Sequence, residues 1–534
     1  MKTFILKPIL GLKSNVAPND LSLFAQQQDN SAACYCVGGQ NFDLNRRRNA
    51  SVKSYSYQEW SGSATTAATM CTGLFELVGS SATDHIFFDN GYMNVYDSAR
   101  DPAVIALLGG AVQMGHDASQ LYSMIQVGNY LVWSDFGVHT PYAWDNGDAT
   151  YTELISAGTE FKFRYLEYFQ NYIFGAYSDQ TNGDIEIRWS GVLPVPITSC
   201  EFAAANQLYK PGNDSITGIK KFGSNSCFLY GSDSICSIDY YANYLTPFAI
   251  RNMQPYQGAV NHHSIVDTGG RHFLFNKNYG FCEYRGGNDF PYGGRPISYD
   301  IENIIGTIDP TYYPRIVGTF SPKTSEIIWS VPLDNSVTNN RLLFYNIVTG
   351  NWRQETKVAS YVDIWRLFST LIWDGATLDL ADMGIVYWSD FNQSTISSLV
   401  NKGTYTVYAN TDGSLYYSAS EGNDIINFEG YRIEPILNFE FNDENSLLEE
   451  IWFSLTDTGP FNLKVSYRGG NTVSECEEAS WETLDEIDCY TPTGTVTYLS
   501  KFNRYHQIKW GTDYINQKFG VNAIQFKYVP EGKY

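Results

Sequence analysis

The chain has 534 residues, of which 43% are hydrophobic and only 17% are charged. That length is too great for one ordinary core, so two or more domains, or one repeat array, are expected. A formal charge of −22 disfavours ordinary non-specific binding of DNA, although an acidic wall would let DNA slide past without sticking. The charge is uneven: residues 1–60 carry seven Lys and Arg against four acids, whereas residues 421–534 carry nine against nineteen.

The composition favours β-structure. Forty Tyr and 31 Phe accompany 45 Gly. Aromatic and β-branched residues favour strands, while Gly with Asn or Asp favours tight turns. Because no long amphipathic helical pattern occurs, the sequence predicts an all-β protein.

The nine Cys are odd in number and lack the spacing of a disulfide framework or a paired zinc ribbon. This usage predicts folding in a reducing compartment such as a bacterial cytoplasm. No run of 18 apolar residues predicts a membrane span, and Lys7 and Pro8 interrupt the apolar N-terminal stretch, so no signal peptide is predicted. Three Asn-x-Ser triplets leave a secreted route open.

A loose repeat runs from about residue 60 to residue 420: an aromatic strand, a polar turn and a second strand. The copies are 85–89 with 92–96, 129–135 with 142–144, 171–179 with 185–189, 226–233 with 235–238, 271–275 with 280–284, 326–331 with 341–345 and Trp352, and a weaker copy at 384–390. Their spacing of roughly 40–55 residues is typical of β-propeller blades, which bury their faces against each other in a ring. The sequence therefore predicts a propeller of six or seven blades over residues 61–420. The alternative is a β-sandwich or stacked meanders with chance spacing.

The pattern changes after residue 421. Residues 429–441, 450–455 and 461–467 alternate apolar and polar side chains, as in an antiparallel sandwich with one wet face. Further strands are predicted near 505–510 and 523–528. Residues 421–534 are interpreted as a small C-terminal β-sandwich-like domain, or as the sheet that closes the ring, and residues 1–60 as an N-terminal arm with the first strands.

No motif for catalysis or for a cofactor occurs. The sequence lacks a nucleotide-binding Gly-rich loop, Gly-x-Ser-x-Gly and His-Glu-x-x-His. His262, His263 and His272 form one His cluster, but adjacent residues of a strand point to opposite faces, so His262 and His263 would not share a metal. We therefore predict no catalytic, cofactor-binding or metal-binding residue.

Acidic residues offer weaker alternatives. Any two of the many carboxylates could act as glycosidase acid and base, but sequence does not show which ones face each other. Residues 410–417 resemble the Asp-box turn of sialidases without its Trp, and an Asp-Gly turn between strands explains them equally. The run Glu475 to Asp488 holds seven acids without the spacing of a calcium loop, and we interpret it as a solvated acidic loop.

Arg46, Arg47 and Arg48 are the sharpest charge feature in this acidic chain. They suit either a solvated turn or a subunit contact, in which guanidinium groups pair with carboxylates of a neighbour. Under the second hypothesis, replacing Arg46 and Arg47 with Glu blocks assembly while the monomer stays folded.

The layout resembles the propeller-containing tail-hub and nozzle proteins of short-tailed bacteriophages, also called phage stabilisation or head-closure proteins. The opening residues 11–18, the segment 40–48 with its Asn-Phe-Asp-Leu-Asn-Arg-Arg-Arg, the strands such as 130–135, the block 263–305, and the stretch 429–467 ending in a Tyr-Arg-Gly-Gly turn carry the likeness. It extends over nearly the whole chain through short motifs.

This resemblance implies a non-enzymatic structural part of the virion tail, assembled in the host bacterial cytoplasm. Such proteins form a ring, usually of six copies, below the portal and its adaptor. The ring continues the DNA channel, retains the packaged genome without sequence-specific binding, and carries the needle, spikes or fibres. Two alternatives stand beside it: a propeller glycoside hydrolase or depolymerase, and a lectin-like glycan-binding protein.

Overall fold

The structure is a computed structural model. It describes residues 1–28, 31–45, 50–53, 57–59, 71–79, 83–89, 91–96, 102–107, 114, 120–146, 148–154, 160–193, 197, 200–224, 226–241, 247–255, 257–286, 295–368, 401–411, 413–418, 430–439, 444–457, 462–484, 486–489, 495–512 and 520–531.

Seven strands are described in the first sixty residues. They are β1 (Lys2–Lys7), β2 (Phe24–Gln28), β3 (Ser31–Cys34), β4 (Gly38–Gln40), β5 (Phe42–Asn45), β6 (Ala50–Lys53) and β7 (Tyr57–Glu59). Among the described pairings, β7 joins the repeat, whereas the other six pair with one another or with strands near the C-terminus.

The repeat forms seven four-stranded units in the described part of the chain, which confirms the predicted β-propeller. Blade 1 holds β8 (Cys71–Val78), β9 (Thr83–Asp89), β10 (Tyr92–Tyr96) and β11 (Pro102–Leu107); blade 2 holds β12 (Ser123–Val127), β13 (Tyr130–Ser134), β14 (Tyr142–Asp145) and β15 (Thr150–Glu153); blade 3 holds β16 (Phe163–Phe169), β17 (Tyr172–Ser178), β18 (Glu186–Trp189) and β19 (Gln207–Tyr209). Blade 4 holds β20 (Ile216–Phe222), β21 (Ser226–Gly231), β22 (Ser234–Tyr240) and β23 (Phe248–Pro255); blade 5 holds β24 (Val266–Asp267), β25 (His272–Asn276), β26 (Gly280–Tyr284) and β27 (Arg295–Pro296); blade 6 holds β28 (Val317–Ser321), β29 (Glu326–Val331), β30 (Arg341–Asn346) and β31 (Trp352–Glu355). Blade 7 holds β32 (Tyr361–Phe368), β33 (Asn401–Ala409), β34 (Leu415–Ser418) and β7.

The first strands of the blades contact one another in order around the ring, and β32 packs on β8. Blades 1 and 2 are also joined at their outer strands, where β11 pairs with β15 in parallel. The ring closes through the N-terminal segment, because β7 pairs antiparallel with β34 at Tyr57 with Ser418 and at Glu59 with Tyr416. Blade 7 is therefore built from both ends of the repeat.

Aromatic side chains fill the space between blades. Phe281 of blade 5 packs on Trp329 of blade 6 with ring centroids 4.2 Å apart. The ring centroids of Trp329 and Trp352 are 5.9 Å apart. Both indoles are buried, and their N–H groups donate to the carbonyls of Ser264 and Ile297. These two indoles thus bury much apolar surface between blades while their N–H groups stay hydrogen-bonded.

The remaining strands form two packed sheets. The C-terminal strands are β35 (Gly430–Ile433), β36 (Ser446–Asp457), β37 (Asn462–Gly470), β38 (Glu482–Thr483), β39 (Ile487–Asp488), β40 (Thr495–Asn503), β41 (Tyr505–Thr512) and β42 (Gly520–Pro530). One sheet has the order β2-β3-β1-β42-β36-β40, with β5 and β6 beside β42, and the other has the order β38-β37-β41-β35-β4, with β39 beside β37. Their shared core includes Phe4, Phe439 and Trp510, so the sandwich contains strands from both chain ends.

Short helical elements connect the strands. The α-helices are α1 (Glu302–Ile305) and α2 (Val473–Glu478), and 3₁₀ turns occupy Leu21–Leu23, Gly183–Ile185, His262–Ser264, Tyr299–Ile301 and Pro310–Arg315. No described helix is long and apolar enough to cross a membrane.

Candidate functional site

A cavity of about 300 Å³ lies where the inner strands of the blades converge. Its walls come from blades 1, 2, 4, 6 and 7 and from the 3₁₀ turn before blade 5. The polar side chains that line it are Glu76, Lys220, His262, His263, Tyr361 and Asp363. Carboxylates, imidazoles and an ammonium group line one cavity, which is therefore the candidate site for chemistry.

Glu76 is held by Arg366. The Arg366 backbone N–H and Nε donate to the two carboxylate oxygens at 2.5 and 2.8 Å. His85 lies 3.8 Å from the same carboxylate and stacks on Trp365, with ring centroids 4.8 Å apart. Burial alone would raise the pKa of Glu76, but the neighbouring His85 and the hydrogen bonds from Arg366 outweigh it and hold that pKa below its usual range. Both oxygens of this ionised carboxylate are thus engaged.

Asp363 differs from Glu76 in the direction of its pKa shift. Burial, together with the charge of Glu76, raises the pKa of Asp363 to about 7, although hydrogen bonds to its carboxylate oppose the shift. Those bonds come from Trp365 Nε1 at 3.2 Å and Thr319 Oγ1 at 3.4 Å. Two neighbouring carboxyl groups with separated pKa values form the pattern of an acid–base pair.

His262 and His263 line the same cavity. They begin a 3₁₀ turn rather than a strand, so the expectation that they point to opposite faces is wrong: their rings meet edge to face, 5.2 Å apart. His262 Nδ1 accepts from the Ile219 backbone N–H at 3.3 Å, and His263 Nδ1 lies 3.2 Å from the Tyr361 hydroxyl. Burial, with Lys220 nearby, lowers the pKa of His263 to about 3 and that of His262 well below its usual value.

His272 lies elsewhere, between blades 4 and 5. Its ring nitrogens are 2.5 Å from the Tyr230 hydroxyl and 2.8 Å from the Lys221 carbonyl. In the part of the chain that the structure describes, no three His, Cys, Asp or Glu side chains are grouped as a metal site would require.

A second feature is the junction between the sandwich and the propeller. Leu12 bridges to Trp352 of blade 6 and to Cys36, and the Asn41 backbone N–H donates to the Gln354 carbonyl at 2.9 Å. The Asn41 side chain accepts from the Thr356 N–H at 2.9 Å and donates to the Thr356 hydroxyl at 2.8 Å. The N-terminal segment is thereby fixed to the outer strand of blade 6.

Arg432 and Glu434 form a buried ion pair on the sandwich side of this junction. The Arg432 guanidinium donates to Glu434 Oε1 at 2.9 Å and to the carbonyls of Leu10 and Cys34 at 2.9 and 3.1 Å. Trp510 Nε1 donates to Glu434 at 2.7 Å, and the side chains of Arg432 and Glu434 are 2% and 0% exposed. Burial alone would lower the pKa of Arg432, but Glu434 outweighs it and raises that pKa above its usual value.

The alternation of apolar and polar residues in the sequence does not predict this buried pair. The pattern Tyr-Arg-Ile-Glu places Arg432 and Glu434 on the wet face of a strand, whereas the structure buries both and leaves Tyr431 and Ile433 partly exposed. This reversed burial is possible because carbonyl groups of the N-terminal segment accept hydrogen bonds from the guanidinium. Two opposite charges spaced by two residues in an apolar strand are the signal that could have found it.

Several other predicted features have clear outcomes. Arg46, Arg47 and Arg48, and the weak copy at 384–390, lie outside the described residues. The acidic run Glu475 to Asp488 is not a simple loop. It contains most of α2, which is capped by Thr472, and the strands β38 and β39, which pair with β37. The Tyr-Arg-Gly-Gly stretch 467–470 is not a turn; it continues β37 and pairs with β41 through Gly470. Between β33 and β34 the Asn410 N–H donates to the Ser414 carbonyl at 2.9 Å, and residues 415–417 already belong to β34.

All nine Cys are buried and free. Burial raises the pKa of Cys71 and Cys282 to about 12. These thiols therefore lack the low-pKa, exposed character of reactive cysteines.

The comparisons with known proteins identify no family. No family model matches the chain, and no curated protein matches it. Among solved structures, a chain of the mitotic checkpoint complex matches with a TM-score of 0.35 and 10% identity, over 68% of this chain and 98% of that chain. An exo-beta-1,3-galactanase from Phanerochaete chrysosporium, solved with galactose, matches with a TM-score of 0.27 and 13% identity, over 80% of this chain and 99% of that chain. These scores carry no argument about function, and the propeller fold rests on the strand pairings.

Proposed function

We propose that this chain is a structural subunit of the tail hub or nozzle of a tailed bacteriophage. In this proposal copies form a ring, of six in the family it resembles, below the portal and adaptor. The ring continues the DNA channel, retains the packaged genome and carries the needle, spikes or fibres. The protein then belongs to the virion tail and assembles in the cytoplasm of the host bacterium.

The observation that carries the proposal is the junction around Arg432. Residues from three stretches that bear the resemblance, 11–18, 40–48 and 429–467, meet there: Leu12 bridges to Trp352, Asn41 bonds to Gln354, and Gln40 pairs with Tyr431. A propeller and a sandwich fixed together by one chain segment suit a part that bears load rather than one that opens and closes.

The central cavity also supports a non-enzymatic role. Glu76 has both oxygens bonded to Arg366, while Asp363 accepts from Trp365 and Thr319. A general base needs a lone pair directed at a water or a substrate proton. Carboxylates satisfied within the protein are typical of a structural polar cluster.

The direct test is imaging. Purified protein, alone and mixed with the adaptor from the same phage, would be examined by electron microscopy without imposed symmetry. We expect closed rings with a central hole wide enough for duplex DNA. Single propeller discs that persist in the presence of the adaptor would contradict the proposal.

One observation favours a second candidate, hydrolysis of a surface polysaccharide. Asp363 has a pKa of about 7 beside ionised Glu76, as an acid–base pair requires. Reducing-sugar release from host surface glycans, lost in Asp363→Asn and kept in the exposed control Asp233→Asn, would establish it. No release by the wild-type protein would remove it.

A further inference from the structure

The sandwich has an open edge at β40. Among the described residues this nine-residue strand pairs only with β36, so its other side presents unpaired backbone groups. Open edges of this length are usually protected by Pro, by charged side chains or by a covering segment. The sequence of β40 contains no Pro, and its one charged residue, Lys501, is bonded to Glu482 at 2.5 Å.

The outer face of β40 is apolar. Tyr498 is 72% exposed and Phe502 is 48% exposed, and with Ser500 they occupy alternate positions on one face. Leu499, between them, packs toward the core of the sandwich. Two large exposed aromatic side chains beside an unpaired edge are the composition of a contact surface.

The opposite edge of the same sheet is β2. Among the described residues β2 pairs only with β3, and Leu21, just before it, is 67% exposed. Neither residues 21–28 nor residues 495–503 contain an acid, although the chain has 57 of them. In a protein with a charge of −22, these two strands are therefore places where like-charge repulsion between copies is locally reduced.

Strand direction shows how two copies would join. Each of the neighbours β1 and β42, β42 and β36, and β36 and β40 is antiparallel, whereas β3 is parallel to β1 and antiparallel to β2. It follows that β40 and β2 run in the same direction. A rotation that places β40 of one copy beside β2 of the next copy pairs these two strands in parallel. The sheet then continues from copy to copy in a head-to-tail arrangement.

We propose that β40 of one copy adds to the β2 edge of the next copy, so that the sandwich sheets form one continuous sheet around the ring. This inference rests on the proposed ring and specifies its contact. Backbone hydrogen bonds between the edges supply the pairing. Tyr498 and Phe502 then pack on the exposed Leu21 of the neighbour.

Position-specific photo-cross-linking tests the contact. Tyr498 is replaced by p-benzoylphenylalanine, the assembled protein is irradiated, and cross-linked peptides are identified by mass spectrometry. We expect adducts to residues 21–28 of another copy. The matched control carries the same group at Tyr241, which is 53% exposed beside β22 of blade 4, and should give no adduct in that range.

The other outcomes overturn the inference in distinguishable ways. Closed rings whose adducts lie elsewhere, or are absent, reject this contact but leave the proposed function standing. Adducts within 495–503 mean a two-fold β40–β40 pair, which also rejects it. Adducts to 21–28 in open chains without rings support the contact and reject the nozzle.

A substitution gives independent evidence. Replacing Tyr498 and Phe502 with Lys should raise the concentration needed for assembly by at least about tenfold, because charges then replace apolar contact. Tyr241→Lys should have no effect. Both target side chains are exposed, so circular dichroism should show an unchanged monomer. Assembly of the double variant at the wild-type concentration would reject the proposal.

Discussion

At the scale of single residues, two ion pairs of this protein lie where chain segments meet. Arg432 and Glu434 join the N-terminal segment to the sandwich, and Glu76 and Arg366 join blade 1 to blade 7. A buried charge is tolerated only with a partner and further hydrogen bonds. Each pair therefore specifies one arrangement of its segments, which apolar packing alone would define less strictly.

The Arg432–Glu434 pair gives the first prediction. Arg432→Met should lower the free energy of unfolding by about 3–5 kcal/mol, because it leaves Glu434 charged and buried. Arg432→Met with Glu434→Leu should lose less than the sum of the single changes. Urea unfolding of the two single variants and the double variant measures these losses. Lys277→Met breaks the exposed pair with Asp233 and should cost about 1 kcal/mol or less. Additive losses at Arg432 and Glu434 would show that the two do not act as a pair.

Asp363 gives a prediction about pH. Its folded-state pKa of about 7 lies above the usual 3.8, so the native state keeps a proton that the unfolded chain releases. Stability from this group is therefore present at low pH and is lost as pH rises from about 4 to about 7. The difference in unfolding free energy between wild type and Asp363→Asn should fall over that range and stay constant above it. A difference independent of pH would mean that Asp363 is already ionised. Asp233→Asn, at the surface, serves as the control.

At the scale of elements, the sequence predicted some strands better than others. The aromatic pairs found in the repeat are the second and third strands of blades 1 to 6, such as β13 and β14. These strands are flanked on both sides within the blade and have the densest aromatic content. Fourth strands such as β19 and β27 have three and two residues, so periodicity cannot reveal them. Closure by β7 depends on pairing at a distance of more than 350 residues, which no local pattern encodes.

The start of helix α2 carries a sequence signal for a helix, which the prediction of a solvated loop did not use. Thr472 accepts a hydrogen bond from the Glu475 backbone N–H at 3.1 Å, and the Glu475 carboxylate accepts from the Asn471 N–H at 2.9 Å. Thr-x-x-Glu is the sequence of a capping box, although here the carboxylate bonds to the N–H of Asn471 rather than to that of the cap residue Thr472. This cap turns the start of the acidic run into a helix that buries Cys476.

Removing the cap should therefore destabilise α2. Thr472→Ala should cost about 0.5–2 kcal/mol, and Thr472→Ser should cost much less because the hydroxyl remains. Amide hydrogen exchange of residues 473–478 measures the local effect. Thr483→Ala, which changes a hydroxyl residue outside the helix, is the matched control. Equal exchange in the Ala and Ser variants would contradict a capping role.

At the scale of the whole molecule, one chain segment belongs to both parts. Strands β1 to β6 build the sandwich with C-terminal strands, and β7 completes blade 7. The candidate site could be predicted only in part for the same reason. The His pair was visible as a cluster, but the carboxylates of the cavity come from β8 and β32, at opposite ends of the repeat. Their approach follows from ring closure, which is a property of the complete fold.

This shared segment predicts coupled unfolding. When the sandwich opens, the N-terminal segment loses its anchor, and β7 can leave β34. Arg432→Met should therefore speed hydrogen exchange in β34 and β33 as well as in β36 and β42, by similar factors, because one opening event exposes them all. Thr472→Ala should affect α2 without changing blade 7. If β34 keeps wild-type protection while the sandwich strands exchange faster, the propeller closes independently, and the junction at Arg432 orients the two parts without holding the ring shut.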